Sequence, residues 1–342
     1  MSVVTILGAG YMGSALTVPA TDNGHEVRLW GTWLDDDLIG AVRAGRDHPR
    51  LEMRLPDAVQ TFTSEELEGA LDGADLVICG VTSEGIERVV ERAFAHMDRP
   101  VTFMAVTKGL LPGPDGHMDR LSRTVAPMAH LPFRYGHIGG PSKAMELARR
   151  IPTAVVYAGV EAARAAALMR TPYYHITISS DLAGVEICSA LKNAYAIGAG
   201  LFDGLQAAGV IGDAHNAKSA IFSKAVGEMA LVVGSVGGRP ETVFGLAGVG
   251  DLLVTAVAGR NRTFGEMVGK GMPPAEVVVY MSARDQLTEG YTAIMTGWAL
   301  VNYLAEQGSV RLEDFALLCA LHTIVYESAP VQETLYALDL RE

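Results

Sequence analysis

The stretch Val3-Val4-Thr5-Ile6-Leu7-Gly8-Ala9-Gly10-Tyr11-Met12-Gly13 decides the reading of this chain. Its β-branched run reads as a strand, the glycine pair as a sharp break, and residues 11–23 as a helix. G-x-G-x-x-G between a strand and a helix is the setting a dinucleotide pyrophosphate needs. Gly8 allows the tight turn, Gly10 lets the backbone approach the phosphates, and Gly13 lets helix and strand pack closely. The helix N-terminus adds N–H donors and the positive end of its dipole. Gly8, Gly10, Tyr11, Met12 and Gly13 are therefore the first expected cofactor contacts.

Outward from this turn, further strands are expected at residues 25–30, 74–80, 100–106, 135–138, 154–158 and 174–179, with helices at 35–44 and 83–97. Apolar strands separated by helices argue a parallel sheet covered on both faces. After about Ser180 the character changes. Residues 181–200, 216–236, 288–307 and 312–328 are long helical patterns rich in Ala, Leu and Met. The expected fold class is α/β: a Rossmann-type parallel-sheet domain at 1–180 binding the dinucleotide, then an all-α domain at 181–342 binding the substrate.

NAD-specific sites of this kind place an acid about 20 residues beyond the glycines, on the ribose 2′-hydroxyl. Here Trp30-Gly31-Thr32-Trp33 stands there, and the nearest acids, Asp35, Asp36 and Asp37, suit the start of the next helix. Arg46 and Arg50 in GRDHPR are within sequence reach of a 2′-phosphate. NAD or NADP is the expected cofactor, with a lean toward tolerance of NADP.

The 27 Lys and Arg against 39 Asp and Glu give a net charge of −12, which repels a nucleic-acid backbone. No run of about 18 apolar residues offers a membrane span, and no signal peptide is read at the start. Cys79, Cys188 and Cys319 are odd in number and scattered, the pattern of reduced buried thiols, so the expected compartment is the cytoplasm. The nine histidines show no ligand spacing, and no metal is expected. His48, His137 and His215 read as structural.

Several motifs, in one order along nearly the whole chain, resemble those of NAD(P)-dependent glycerol-3-phosphate dehydrogenases of the prokaryotic type. Leu191-Lys192-Asn193-Ala194-Tyr195-Ala196-Ile197 is similar to their LKN(V)YAI segment. Phe244-Gly245-Leu246-Ala247-Gly248-Val249-Gly250-Asp251-Leu252 resembles F-x-G-L-x-G-x-G-D-L, and Gly259-Arg260-Asn261-Arg262 resembles S-R-N-R. Val106-Thr107-Lys108-Gly109, Gly140-Pro141-Ser142, Pro152-Thr153-Ala154 and Glu289-Gly290-Tyr291 resemble A-T-K-G, G-P-S/T, P-T-A and V-E-G.

The resemblance implies interconversion of sn-glycerol 3-phosphate and dihydroxyacetone phosphate by hydride transfer at C2, an activity that supplies glycerol phosphate for phospholipid synthesis. It implies Lys192 as general acid and base, with Lys108, Asp251 and Thr255 beside it. A lysine base works best with its pKa lowered toward neutrality, and its own helix offers it no carboxylate at i±3 or i±4. Asp251 and Thr255 are four apart and share a helix face, and the alternative reading of Asp251 is a helix N-cap. Substrate contacts are implied for Lys108, Gly140, Ser142, Asn193, Asp251, Arg260 and Asn261; a guanidinium fork matches phosphate oxygens. Further cofactor contacts are implied for Thr32, Arg50, Lys108, Ala144, Arg260 and Glu289. Arg262 reads as solvated or structural.

The departures from the family pattern are Tyr11-Met12 for a serine–aromatic pair, Gly259 for serine, Lys143 for an aromatic residue and Thr288 for valine. They bear on specificity more than on chemistry. Two competing readings stand beside this one: a dehydrogenase of the same architecture acting on a hydroxy acid or another phosphorylated polyol, and a nucleotide-binding sensor without catalysis. The apolar helices of the second half suit a homodimer interface or a monomer core equally.

Overall fold

The computed structural model describes residues 1–131, 134–284, 286 and 288–340. Its strands are β1 (Val3–Leu7), β2 (Glu26–Trp30), β3 (Val59–Phe62), β4 (Leu76–Cys79), β5 (Thr102–Ala105), β6 (Leu110–Pro112), β7 (Met118–Arg120), β8 (Arg134–Gly139), β9 (Thr153–Gly159) and β10 (Tyr174–Ser179). Eight of these form one sheet in the order β10-β9-β8-β5-β4-β1-β2-β3. Val4 on β1 sits in register with Val27 on β2 and Leu76 on β4. Every residue of β4 and β5 is buried, as central parallel strands demand, which is why they read as unbroken apolar runs.

The sheet departs from a wholly parallel one at β8 and β9, which pair antiparallel. A parallel crossover needs a long connection, usually through a full helix. Only the short helix Ala144–Ala148 lies between these two strands. Strands β3, β6 and β7, which the apolar pattern does not announce, are short, and β3 and β7 are mostly half-buried.

The helices of the first half are α1 (Tyr11–Asp22), α2 (Asp36–Arg43), α3 (Leu67–Leu71), α4 (Ser83–Ala95), α5 (Leu121–Val125), α6 (Ala144–Ala148) and α7 (Ala162–Met169). Val4, Ile6, Leu29, Ile78 and Met104 from the strands and Leu16 from α1 sit together in the core with no solvent exposure. The helices of the second half are α8 (Leu182–Ala207), α9 (His215–Ser235), α10 (Asp251–Val257), α11 (Arg260–Gly269), α12 (Pro274–Ser282), α13 (Glu289–Glu306), α14 (Ala316–Tyr326) and α15 (Val331–Tyr336). None of the described helices is long and apolar enough to cross a membrane.

The chain divides into two compact units: Met1–Lys108 with Leu121–Leu182, and Gly109–Arg120 with Ala183–Glu342. The second unit thus takes in the hairpin β6–β7 from the first half of the chain, which a boundary near residue 180 does not convey. The hairpin packs on α13, where His117 stacks on Tyr303 with ring centres 4.0 Å apart.

In the second unit, α8 is buried on nearly every face, so its sequence is apolar all round rather than striped. Glycines bring it against α11. A Cβ at Gly265 would collide with the Ile197 carbonyl oxygen, and one at Gly200 with that of Arg262. This close approach sets Asn261, near the start of α11, beside Asn193 on α8.

Candidate active site

In the first unit, β1 runs into the glycine turn and α1 leaves it. Gly8 has φ +102°, a left-handed conformation that glycine adopts without a Cβ penalty. A Cβ at Gly13 would collide with the Gly8 carbonyl oxygen, so the helix can sit this close to the turn only with glycine there. The turn is held from behind by Asp35. Its Oδ2 accepts from the Ala9 N–H at 3.3 Å, the Thr32 N–H at 3.1 Å and the Thr32 hydroxyl at 2.8 Å. Asp35 is buried and committed to this role, so it is no ribose acid of the usual kind. Asp36 is committed too, accepting from the Ser64 N–H and hydroxyl.

His48 holds the other side of the turn. The Leu51 N–H donates to its Nδ1 at 3.2 Å, which places the proton on Nε2. Nε2–H then donates to the Ala9 carbonyl at 2.9 Å, with the Ser14 hydroxyl 3.0 Å away. Burial pushes the His48 imidazole below its ordinary pKa and keeps it neutral. Arg50 lies alongside, its Nη1 3.8 Å from Asp35 Oδ1 and 3.5 Å from where a Gly10 Cβ would stand. A glycine turn with a guanidinium beside it, at the N-terminus of a twelve-residue helix, fits the phosphates of a dinucleotide.

The other first-unit candidates sit at strand ends. Lys108 follows β5 in a loop that the Thr107 hydroxyl anchors to the Val81 carbonyl at 2.8 Å. Gly140, with φ +108°, follows β8 directly. Ser142 reaches Met12 of the glycine loop, its Oγ 3.9 Å from the sulfur, and Ala144 opens α6, which packs on α1. The structure thus brings Ser142 to Met12 at the start of α1.

In the second unit, α8 presents Lys192 and Asn193, with exposures of 6% and 2%. Lys192 Nζ donates to Asp251 Oδ1 and to Thr255 Oγ1, both at 2.7 Å. Thr255 gives its own hydroxyl proton to the Asp251 carbonyl, which leaves its oxygen an acceptor toward the lysine. A π-helical turn at Leu246–Gly250 feeds Asp251 into α10. The carboxylate missing along the lysine's own helix is thus supplied by α10. An opposite charge at this distance favours an ammonium, so apolar surroundings are not the whole environment of Lys192.

Asn193 also bonds Asn261 and Glu289, and Glu289 Oε1 lies 3.7 Å from Arg260 Nη2. Arg262 turns elsewhere, to Asp203 and the Val257 carbonyl, as its structural reading expects. Among the described residues, no group of three His, Cys, Asp or Glu side chains is placed to hold a metal ion.

Two family models match this chain. The model described as NAD-dependent glycerol-3-phosphate dehydrogenase N-terminus covers residues 3–165, and the C-terminus model covers residues 181–336. This chain belongs to the NAD-dependent glycerol-3-phosphate dehydrogenase family. The NADP(+)-dependent glycerol-3-phosphate dehydrogenase of Archaeoglobus fulgidus is 36% identical over 340 residues, 98% of each chain. The glycerol-3-phosphate dehydrogenase [NAD(P)+] of Geobacillus kaustophilus is 35% identical over 89% of this chain and 86% of its own. The crystal structure of glycerol-3-phosphate dehydrogenase from Coxiella burnetii superposes with a TM-score of 0.84 at 28% identity, covering 98% of both chains.

Within this glycerol-3-phosphate dehydrogenase family member, three side chains serve the site without standing out in the motifs. Asp35 and His48 brace the glycine turn, and the only sequence hint is their nearness to Thr32 and Arg50. The third is Glu228, 2% exposed on α9. It accepts from the Tyr195 hydroxyl at 3.0 Å and from the backbone N–H groups of Leu317 and Leu318 at 2.7 and 3.0 Å. Tyr195 lies one turn beyond Lys192, so Glu228 braces the lysine helix against α14. An acid on an otherwise apolar helical face was the available signal.

Proposed function

We propose that this protein interconverts sn-glycerol 3-phosphate and dihydroxyacetone phosphate with NAD or NADP. The observation that carries the reading is the buried Lys192–Asp251–Thr255 group, in which two bonds of 2.7 Å aim the lysine nitrogen. The relatives named glycerol-3-phosphate dehydrogenase, matched over nearly the whole chain, support it.

The chemistry a bound nicotinamide would supply is hydride exchange at C2, between the ketone and the alcohol. In reduction, the Lys192 ammonium delivers a proton to the developing alkoxide; in oxidation, neutral Lys192 removes the hydroxyl proton. Asp251 and Thr255 keep that nitrogen in one place through both directions. Lys108, Gly140, Ser142, Asn193, Arg260 and Asn261 bind the substrate, with the Arg260 guanidinium and the Asn261 amide on its phosphate. Gly8, Gly10, Tyr11, Met12, Gly13, Thr32, Ala144 and Glu289 bind the cofactor, as do Lys108 and Arg260, and Arg50 answers a 2′-phosphate. The first unit acts as the dinucleotide-binding domain and the second as the substrate domain, and the protein works in the cytoplasm.

The test follows absorbance at 340 nm with dihydroxyacetone phosphate and NADH or NADPH in parallel. Oxidation that disappears in Lys192→Ala is the expected result. Absence of oxidation by protein that binds the cofactor would overturn the assignment.

A further inference from the structure

Three helices of the second unit meet in a closed circuit of polar groups. The Gly290 N–H donates to Asn261 Oδ1 at 2.9 Å, Asn261 Nδ2 donates to Asn193 Oδ1 at 2.9 Å, and Asn193 Nδ2 donates to Glu289 Oε2 at 3.1 Å. Glu289 Oε1 faces Arg260 Nη2 at 3.7 Å. Glu289 precedes Gly290 on α13, and Arg260 precedes Asn261 on α11, so the circuit returns to where it began.

Both ends of the hydrogen-bonded run are chemically unambiguous. A backbone N–H can only donate and a carboxylate can only accept, so neither amide can be turned over. Reversing Asn193 alone would set two donors face to face at Asn261 and an oxygen against the carboxylate at Glu289. The circuit therefore holds its orientation as a unit. Its centre is buried, with Asn193 and Asn261 at 2% and 6% exposure. Its charged ends are accessible, with the Arg260 and Glu289 side chains at 38% and 37%. Gly290 makes the approach possible: a Cβ there would stand 2.5 Å from the Asn193 carbonyl oxygen.

We propose that this circuit couples the binding of the two ligands, with Glu289 the positioning residue that ties the cofactor to the substrate-binding amides of Asn193 and Asn261. The inference rests on the reading above, in which Glu289 faces the cofactor and Arg260 with Asn261 takes the substrate phosphate. A ligand that holds the partly exposed Glu289–Arg260 end in place also steadies the position of both amides, whose donor and acceptor directions are already set. The second ligand then meets a site whose ordering cost has been met. Linkage makes the effect mutual: each ligand tightens the other by the same factor.

The experiment is calorimetric titration of NADPH with and without saturating sn-glycerol 3-phosphate. Both ligands are reduced, so the ternary complex forms without turnover. For the unaltered protein, glycerol 3-phosphate is expected to lower the NADPH Kd about tenfold, within the usual range for coupled sites. Glu289→Ala, at a partly exposed position, is expected to bring that factor to about one. Glu289→Gln keeps an oxygen acceptor for Asn193 and is expected to retain most of the coupling.

A Glu289→Ala protein that binds NADPH more weakly but keeps the full coupling factor would overturn the proposal. So would equal loss of coupling in the Ala and Gln variants, since charge rather than amide orientation would then be responsible. Absence of coupling in the unaltered protein, with both ligands binding, also overturns it. Failure of glycerol 3-phosphate to bind at all is a separate outcome that sinks the substrate assignment and the circuit's role with it.

Discussion

Lys192 Nζ stands 2.7 Å from Asp251 Oδ1, with the two side chains 7% and 1% exposed. A buried pair of this kind is costly to break from one side. Asp251→Ala would leave an ammonium without its counter-charge and should cost about 3–5 kcal/mol of stability. Replacing both partners by apolar residues should cost much less. Chemical denaturation of the two variants checks this, and equal losses would argue against a tight buried pair. In turnover, Lys192→Ala should lose roughly 10²–10⁴-fold in kcat, as removal of a general acid does.

Glu228 gives the protein a pH dependence of stability. Burial pushes its carboxyl up from 4.5 to about 7, against the pull of Tyr195 and two backbone N–H groups. A group whose pKa rises on folding contributes stability in full below its unfolded value and loses it as pH rises through the folded one. Thermal stability should therefore fall between about pH 5 and pH 8, by up to about 3 kcal/mol from this group. Glu228→Gln, which stays neutral, should flatten that slope. A parallel pH profile in the variant would remove Glu228 from the account.

Arg50 and His48 should separate affinity from cofactor choice. Arg50→Ala should raise the KM for NADPH about tenfold, the loss of one charge-assisted contact, and change that for NADH little. His48→Ala loosens the turn itself and should weaken both cofactors alike. Steady-state kinetics with each cofactor tells the two patterns apart. His48 also has its own pH window: its folded pKa lies below 6.5, so its stabilising contribution is present above that value and fades as pH falls.

The glycines of α8 and α11 should tolerate nothing larger. Gly265→Ala drives a methyl group into the Ile197 carbonyl oxygen and should cost about 1–3 kcal/mol or more. Gly227 on α9 is the contrast, with nothing within 4 Å of an added Cβ. Gly227→Ala should stabilise by up to about 1 kcal/mol, because alanine restricts the unfolded chain and favours helix. Melting temperatures moving in opposite directions would bear this out, and a neutral Gly265→Ala would contradict the close helix approach.

Much of this was legible in the sequence because the physics was local. The strand–glycine–helix run at Val3–Gly13, the buried runs of β4 and β5, and the spacing of Asp251 and Thr255 each carry their meaning within a few residues. The antiparallel turn of β9 was not legible, since it depends on how much chain α6 uses. Nor was the bracing of the turn by Asp35 and His48, whose partners lie 26 and 39 residues back at Ala9. The Asp251 partner of Lys192 was named only through the resemblance. Helical spacing along α8 shows an unaccompanied lysine, because the acid arrives from 59 residues downstream.

The hairpin β6–β7 bears on how the protein is made. Its segment, Gly109–Arg120, leaves the ribosome long before α13, on which it packs, has been synthesised. During that interval the His117 ring has no Tyr303 to stack on, and the first unit must fold around a loop that belongs to a structure not yet present. Neither unit is a single contiguous stretch of gene, so no one cut yields two whole pieces. A fragment ending at Leu182 would carry the hairpin as an orphan, and its complement would lack a piece of its own surface. The two halves of this chain are therefore not interchangeable modules, although each has a core of its own.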